Sequence, residues 1–333
     1  MASPQKFFRF ADTFFPGIPL TSVDMKTKIK SLLGAGLSLL VTFGFTHNAT
    51  AQSNGRILFT APATIPKTHE TYDQVFSMNS DGSGVRQLTG ARASCLYPAW
   101  SPGRAYIAFQ RNSTIYVMEA SGEANGGRTF TVGPLSGGGL DWSPDGQSLV
   151  FVGPGLINTY GIWIVDVDPA TGAVGTPMLV VDDGGDYTPC FSPDGSRIAY
   201  VAPGGCGTLI KVFDLTTREV LFSIGAAPCT TPSWSPDGNY LAFSSVAAVT
   251  ITKGRKTTTQ NCYEIFVANA DGSGITQVTS IATTLNVFPK WSDDGEEIAF
   301  RSAGDGTSSI YKVTLATGAV TSLHLGSTVD WTP

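Results

Sequence analysis

One phrase recurs along this chain, and its spacing narrows what the chain can fold into. It first reads Tyr97-Pro98-Ala99-Trp100-Ser101-Pro102 and continues to Ile107-Ala108-Phe109. Later copies are Asp141-Trp142-Ser143-Pro144-Asp145-Gly146, Pro189-Cys190-Phe191-Ser192-Pro193-Asp194-Gly195, Pro232-Ser233-Trp234-Ser235-Pro236-Asp237-Gly238 and Pro289-Lys290-Trp291-Ser292-Asp293-Asp294-Gly295. Each is followed by a short apolar run such as Ile198-Ala199-Tyr200 or Leu241-Ala242-Phe243, and a truncated copy stands at Asp330-Trp331-Thr332-Pro333. The aromatic anchors fall at 100, 142, 191, 234, 291 and 331, in steps of 42, 49, 43, 57 and 40 residues. A repeat of about 40 to 50 residues that carries several strands is the period of a β-propeller.

The physics of one unit is legible. In Ser-Pro-Asp-Gly the proline presets φ, the aspartate bonds the local backbone and the glycine accepts positive φ, so the phrase makes a tight turn. The apolar run after it alternates as a buried strand does. A further strand follows, as in Ile115-Tyr116-Val117-Met118 or Glu264-Ile265-Phe266-Val267, and then a weaker outer one such as Val85-Arg86-Gln87-Leu88-Thr89. Four strands make a blade. The first unit begins at Arg56-Ile57-Leu58-Phe59 without a preceding anchor phrase, and the last anchor, Trp331, has no strands after it. The two halves complete each other if the C-terminal strand becomes the inner strand of the first blade, a closure that removes exposed sheet edges. The expected fold is therefore all-β, a six-bladed β-propeller over residues 52–333.

The N-terminal stretch reads as an address. Met25 is followed by Lys26, Lys28 and Lys30, an apolar run of about 15 residues from Ser31 to Phe45, and Ala49-Thr50-Ala51 before Gln52. That is the layout of a signal peptide over 25–51, shorter than the roughly 20 residues a membrane span needs. Residues 1–24 are expected to be a mis-called start or disordered. The expected location is periplasmic or secreted, with membrane attachment only if the segment stays uncleaved.

The phrase P-x-W-S-P-D-G-x-x-I-A-F, followed by strands of the I-Y-V-M type and a D-G turn, resembles the propeller repeat of the TolB family. That resemblance covers residues 56–333. It implies export to the envelope and a propeller that binds other proteins, as TolB binds the peptidoglycan-associated lipoprotein. TolB also carries an α/β domain ahead of its propeller, whereas only Gln52 to Gly55 separate the expected cut from the first strand here.

Chemistry is sparse in this sequence. The first 51 residues hold five basic and two acidic side chains, which leaves 16 basic and 24 acidic residues in the remainder. A body of that sign offers no footprint for nucleic acid. Beyond residue 51 the histidines are His69 and His324, and no nucleophile elbow, zinc-binding HExxH or phosphate-binding loop is written in the chain. The stretches from Asn79 and Asn269 resemble the start of a calcium loop, yet their twelfth positions are Gly90 and Ser280 rather than a glutamate. No metal, cofactor or catalytic residue is therefore assigned. The expected role is a monomeric scaffold binding an envelope protein or glycan; the alternative is a propeller lyase or hydrolase acting on a carbohydrate or peptide.

The site residues expected on the loop face are Tyr97, Asp141, Asp186 and Tyr187. Lys290 and Asp330 stand at inner-strand positions of neighbouring blades where polarity is unusual, and are expected to pair. Five cysteines follow the signal, all expected in loops except Cys190, and in an oxidising compartment Cys206–Cys229 is the expected disulfide, with Cys229–Cys262 as competitor. The insertion 244–262, with its Lys253-Gly254-Arg255-Lys256 stretch, is expected to be a loop on the same face, solvated or in contact with a partner.

Overall fold

The computed structural model describes residues 55–331 apart from 67–68, 135–137, 157–159, 184–187, 206, 226, 254–255, 282–284 and 305–306. The chain divides into two units, 1–51 and 52–333; the expected signal segment lies outside the described residues, and only the second unit is described below.

Each sheet is an antiparallel meander whose inner strand carries the recurring phrase. Cys95–Trp100, Tyr106–Arg111, Thr114–Glu119 and Thr129–Pro134 lie side by side in that order. The same order runs through Leu140–Trp142, Ser148–Pro154 and Tyr160–Asp168, where Ala173–Val174 and Met178–Val181 together form the outer edge. Cys190–Phe191, Arg197–Gly204, Gly207–Asp214 and Glu219–Ile224 follow. Next come Cys229–Trp234, Tyr240–Lys253, Lys256–Asn269 and Thr276–Gln277, and then Leu285–Trp291, Glu297–Gly304, Thr307–Thr314 and Ala319–Leu325. These last two groups are joined by one parallel pair, Tyr263 with Leu285.

The remaining sheet joins distant parts of the chain. Val329–Asp330 is the inner strand, followed by Arg56–Thr64, Thr71–Asn79 and Arg86–Gln87. Leu58 pairs with Asp330 and Phe59 with Val329, and the Thr60 and Thr328 hydroxyls meet at 2.8 Å. Trp331 is fully buried there among Ile57, Phe59, Ala299 and Ile310.

The tight turns form as their residues dictate. Ser143 Oγ donates to Asp145 Oδ1 at 2.6 Å, the Gln147 N–H donates to the same oxygen at 3.0 Å, and Gly146 sits at φ 69°. Asp194 and Asp294 repeat the serine bond in their own turns, at 2.5 and 2.6 Å. The serine bond first, and the backbone bond after it, hold the Asp145 and Asp194 carboxyls below their ordinary value. These aspartates build turns.

The anchors wedge between sheets. Trp142 packs with Ala99, Ala108 and Val117 of the preceding sheet, and its Nε1 donates to Ala99 O at 3.2 Å. Trp291 does the same to Ser233 O at 3.1 Å, and Trp100 to Arg56 O at 2.9 Å. Burying aromatic side chains of this size, with the polar edge bonded, contributes much of the cohesion between neighbouring sheets.

Two expectations are corrected. The insertion 244–262 is not a loop: Tyr240–Lys253 and Lys256–Asn269 form one continuous ladder from Tyr240↔Asn269 to Lys253↔Lys256. Val246-Ala247-Ala248-Val249-Thr250-Ile251-Thr252 is rich in β-branched residues, which favour the extended chain. Cys95, Cys229 and Cys262 are not in loops either. Cys95 and Cys229 open inner strands, Cys262 lies within the long ladder, and Cys95, Cys190, Cys229 and Cys262 are buried free thiols. Cys229 pairs with Ser245 and Cys262 with Ala247, so a whole strand separates Cys229 from Cys262. Strands are about 4.8 Å apart, and two spacings exceed the roughly 7 Å that a disulfide can bridge. Cys206, and with it the expected Cys206–Cys229 pair, lies outside the described residues; Cys229 Sγ contacts Ala227 O at 3.2 Å and Ser245 Oγ at 3.5 Å.

Candidate functional site

The inner strands line a central channel with two differently built levels. Counting back from each anchor, the residues one position before it are Ala99, Asp141, Cys190, Ser233, Lys290 and Asp330. Three positions before it stand Tyr97, Gly139, Thr188, Thr231, Phe288 and Thr328.

The level next to the anchors is polar and bonded across the sheets. Asp330 is fully buried; its Oδ2 accepts the backbone N–H of Trp100 at 2.8 Å and its Oδ1 meets Lys290 Nζ at 3.2 Å. The expected Lys290–Asp330 contact is thus present. Asp141 repeats the first bond two sheets further on, its Oδ2 accepting the Phe191 N–H at 3.0 Å. Burial is the main force on the Asp141 carboxyl, opposed by Lys290 and reinforced by Asp330, and raises it to about 6. Burial alone would depress the Lys290 ammonium, but Asp330 and then Asp141 outweigh it and hold it above its ordinary value. Burial, helped by the charge of Asp141, pushes the Cys190 thiol well up, so it is no nucleophile near neutrality.

Asp141, Cys190 and Lys290 line a cavity of about 220 Å³ together with the indoles of Trp100, Trp142, Trp234 and Trp291. Pro102, Pro144, Pro193 and Pro236 also border it, so the cavity lies toward the face that carries the tight turns.

The level at the other end of the inner strands is aromatic and hydroxylic. Tyr97, Thr231 and Phe288 have φ of 50°, 51° and 58°, and each sits inside a register shift of its strand. A β-branched or aromatic residue at positive φ is uncommon, and its recurrence at one position marks a bulge that re-aims the side chain. The Tyr97 and Phe288 rings meet at 6.4 Å, although their strands belong to the sheets on either side of the closing one. The Phe288 N–H donates to Thr231 Oγ1 at 3.1 Å. From this face the long hairpin projects: its ladder passes the start of the inner strand at Cys229↔Ser245 and continues for eight more residues to Lys253.

Among the four expected site residues, Tyr97 lies on the hairpin face and Asp141 in the cavity toward the turn face, so the structure does not bring them together. Asp186 and Tyr187 lie outside the described residues. One buried carboxylate escaped the sequence reading. Glu264 is fully buried, accepting from Thr279 Oγ1 at 2.5 Å, the Ile281 N–H at 3.0 Å and Asn286 Nδ2 at 3.1 Å, and burial raises its carboxyl. Gln74 fills the matching place in the first sheet, accepting from Thr89 Oγ1 at 2.8 Å.

With this geometry in hand, the relatives can be placed. The family model for the TolB beta propeller domain matches residues 156–333, more than half of the chain. This chain belongs to the TolB β-propeller family. An uncharacterized protein of Agrobacterium fabrum is 25% identical over 210 residues, 61% of this chain and 64% of that protein. Dipeptidyl-peptidase 5 of Porphyromonas gingivalis is 25% identical over 282 residues, 80% of this chain but 38% of the peptidase. The chain thus spans less than two thirds of the length of these curated relatives. The crystal structure of TolB from Acinetobacter baumannii superposes with a TM-score of 0.65 at 17% identity, covering 95% of this chain and 74% of that one. A likeness of that kind shows a shared TolB propeller fold.

Proposed function

We propose that this six-bladed propeller is a non-enzymatic scaffold outside the cytoplasm that seats an envelope protein or glycan on its hairpin face. The observation that carries this reading is the hairpin itself. Beyond Ser245 and before Tyr263 neither of its strands has a second neighbour in the sheet among the described residues, which leaves backbone edges for an extended partner segment. Strand addition to such an edge supplies affinity through main-chain bonds, while side-chain contacts select the partner. Thr257, Thr258, Thr259 and Gln260 are exposed along it, a polar surface suited to hydrogen bonding. The bulged Tyr97 and Phe288 pair supplies an aromatic contact on the same face, and family membership supports a binding role.

Photo-crosslinking in the envelope tests this. Crosslinkers at Thr258 and Gln260 on the hairpin, and at Gln147 and Asn239 beside the tight turns, probe the two faces separately. The scaffold reading expects a discrete adduct from the hairpin positions and none from the turn positions. Adducts from the turn face alone, or turnover of peptides or glycosides by the purified protein, would overturn it.

A further inference from the structure

We propose that the channel cavity beside the turns is a second site, which takes the ammonium group of a small primary amine carrying an oxygen acceptor. It lies at the opposite end of the inner strands from the hairpin face and does not depend on the scaffold reading.

Charge is the first argument. Among the described residues, Lys290 is the cation that acts on Asp141, and it is bonded to Asp330 at 3.2 Å. The cluster therefore carries one carboxylate charge in excess in a buried setting, where an uncompensated charge is costly. A monovalent cation placed at Asp141 offsets it. The described residues contain no group of three His, Cys, Asp or Glu side chains spaced for a metal, and the ammonium of Lys290 disfavours a compact dication beside it.

The second argument is independent of charge. Trp234 is 8% exposed, lines this cavity, and its Nε1–H has no hydrogen-bond partner among the described residues, unlike the indoles of Trp100, Trp142 and Trp291. A buried donor of that kind calls for an acceptor atom, and an amine with a neighbouring hydroxyl brings one. Indole faces around the cavity add attraction for a cation. Size completes the case, because 220 Å³ is below the roughly 300 Å³ at which sites for drug-sized ligands begin. The occupant is a headgroup of a few heavy atoms.

The test uses the exported propeller and a panel of four probes, read by calorimetry. Ethanolamine and glucosamine carry both features, ethylamine lacks the acceptor, and N-acetylglucosamine lacks the cation. Saturable binding is expected for the first two, weaker binding for ethylamine, and none for the acetylated sugar. Asp141→Asn keeps an acceptor for the Phe191 N–H but removes the charge, and should weaken ethanolamine by about tenfold or more. Trp234→Phe should bring ethanolamine down to the level of ethylamine and leave ethylamine unchanged, which decides the matter even if the first variant folds poorly. Equal binding of the acetylated sugar, unchanged affinity in both variants, or no saturable binding of any amine would overturn the proposal. Truncating the hairpin should leave amine binding intact, so the two sites fail or stand separately.

Discussion

The Asp330 carboxylate accepts the backbone N–H of Trp100 at 2.8 Å, across the seam between the closing sheet and the next one. Because its other oxygen meets Lys290, this side chain ties three neighbouring sheets at the channel wall. The Asp141–Phe191 bond is the same device two intervals further round.

Removing Asp330 should therefore loosen the ring as well as the ion pair. Asp330→Ala leaves Lys290 without its bonded partner in a buried site and is expected to cost about 3–5 kcal/mol. Asp330→Asn, which keeps an acceptor for Trp100, should cost less, and a Lys290→Met change added to Asp330→Ala should recover part of the loss. Urea midpoints of the four proteins check this order.

The pH dependence of stability has a sign fixed by Asp141. Its carboxyl binds a proton more tightly in the folded chain, at about 6, than at its ordinary 3.8. The stabilisation it contributes is complete below the ordinary value and is lost as pH rises through about 6. Lys290, Asp330 and Cys190 face it; Lys290 and Cys190 are shifted upward, so neither changes charge in that window. Asp141→Asn should flatten the fall, and melting temperatures of both proteins between about pH 3 and about pH 7, each roughly a unit beyond the window, measure it.

Glu264 and Gln74 hold matching places, which makes their exchange informative. Glu264→Gln should fold normally, because Gln74 already bonds a threonine hydroxyl in that geometry. Glu264→Ala strands Thr279, Ile281 and Asn286 and is expected to cost about 2–4 kcal/mol. Chemical denaturation separates the two outcomes.

The thiols should be silent in the folded chain. Cys95, Cys190, Cys229 and Cys262 are buried, and burial raises the first three. A thiol reagent added to the native protein should label none of these four, and all of them once guanidinium is added, as peptide mapping will show.

Much of this was legible before any coordinates. The anchor phrase fixed the inner strands and their turns, because proline, aspartate and glycine act locally. Unpaired halves at Arg56 and Trp331 pointed to the closing sheet for the same reason. What escaped depends on neighbours distant in sequence. Glu264 sits in an alternating strand where a charged residue reads as solvent-facing, and its burial goes with the bonds it accepts from Thr279, Ile281 and Asn286. The length of the hairpin segment resembles that of a loop, and only the β-branched run from Val246 to Thr252 signals a strand. An oxidising compartment favours cysteine pairing, but strand register, set by distant partners, keeps Cys229 and Cys262 apart.

Thr60 and Thr328 touch across 268 residues of intervening chain. Contacts of that span are reached late, since loop closure precedes any reward. The meanders in between can assemble from near neighbours, while the seam at Leu58 and Asp330 waits for nearly everything else. The junction that forms last is also the cheapest to reopen, so amide exchange at Thr60 and Ser327 should run ahead of the inner strands and report the molecule breathing as a clasp rather than melting sheet by sheet.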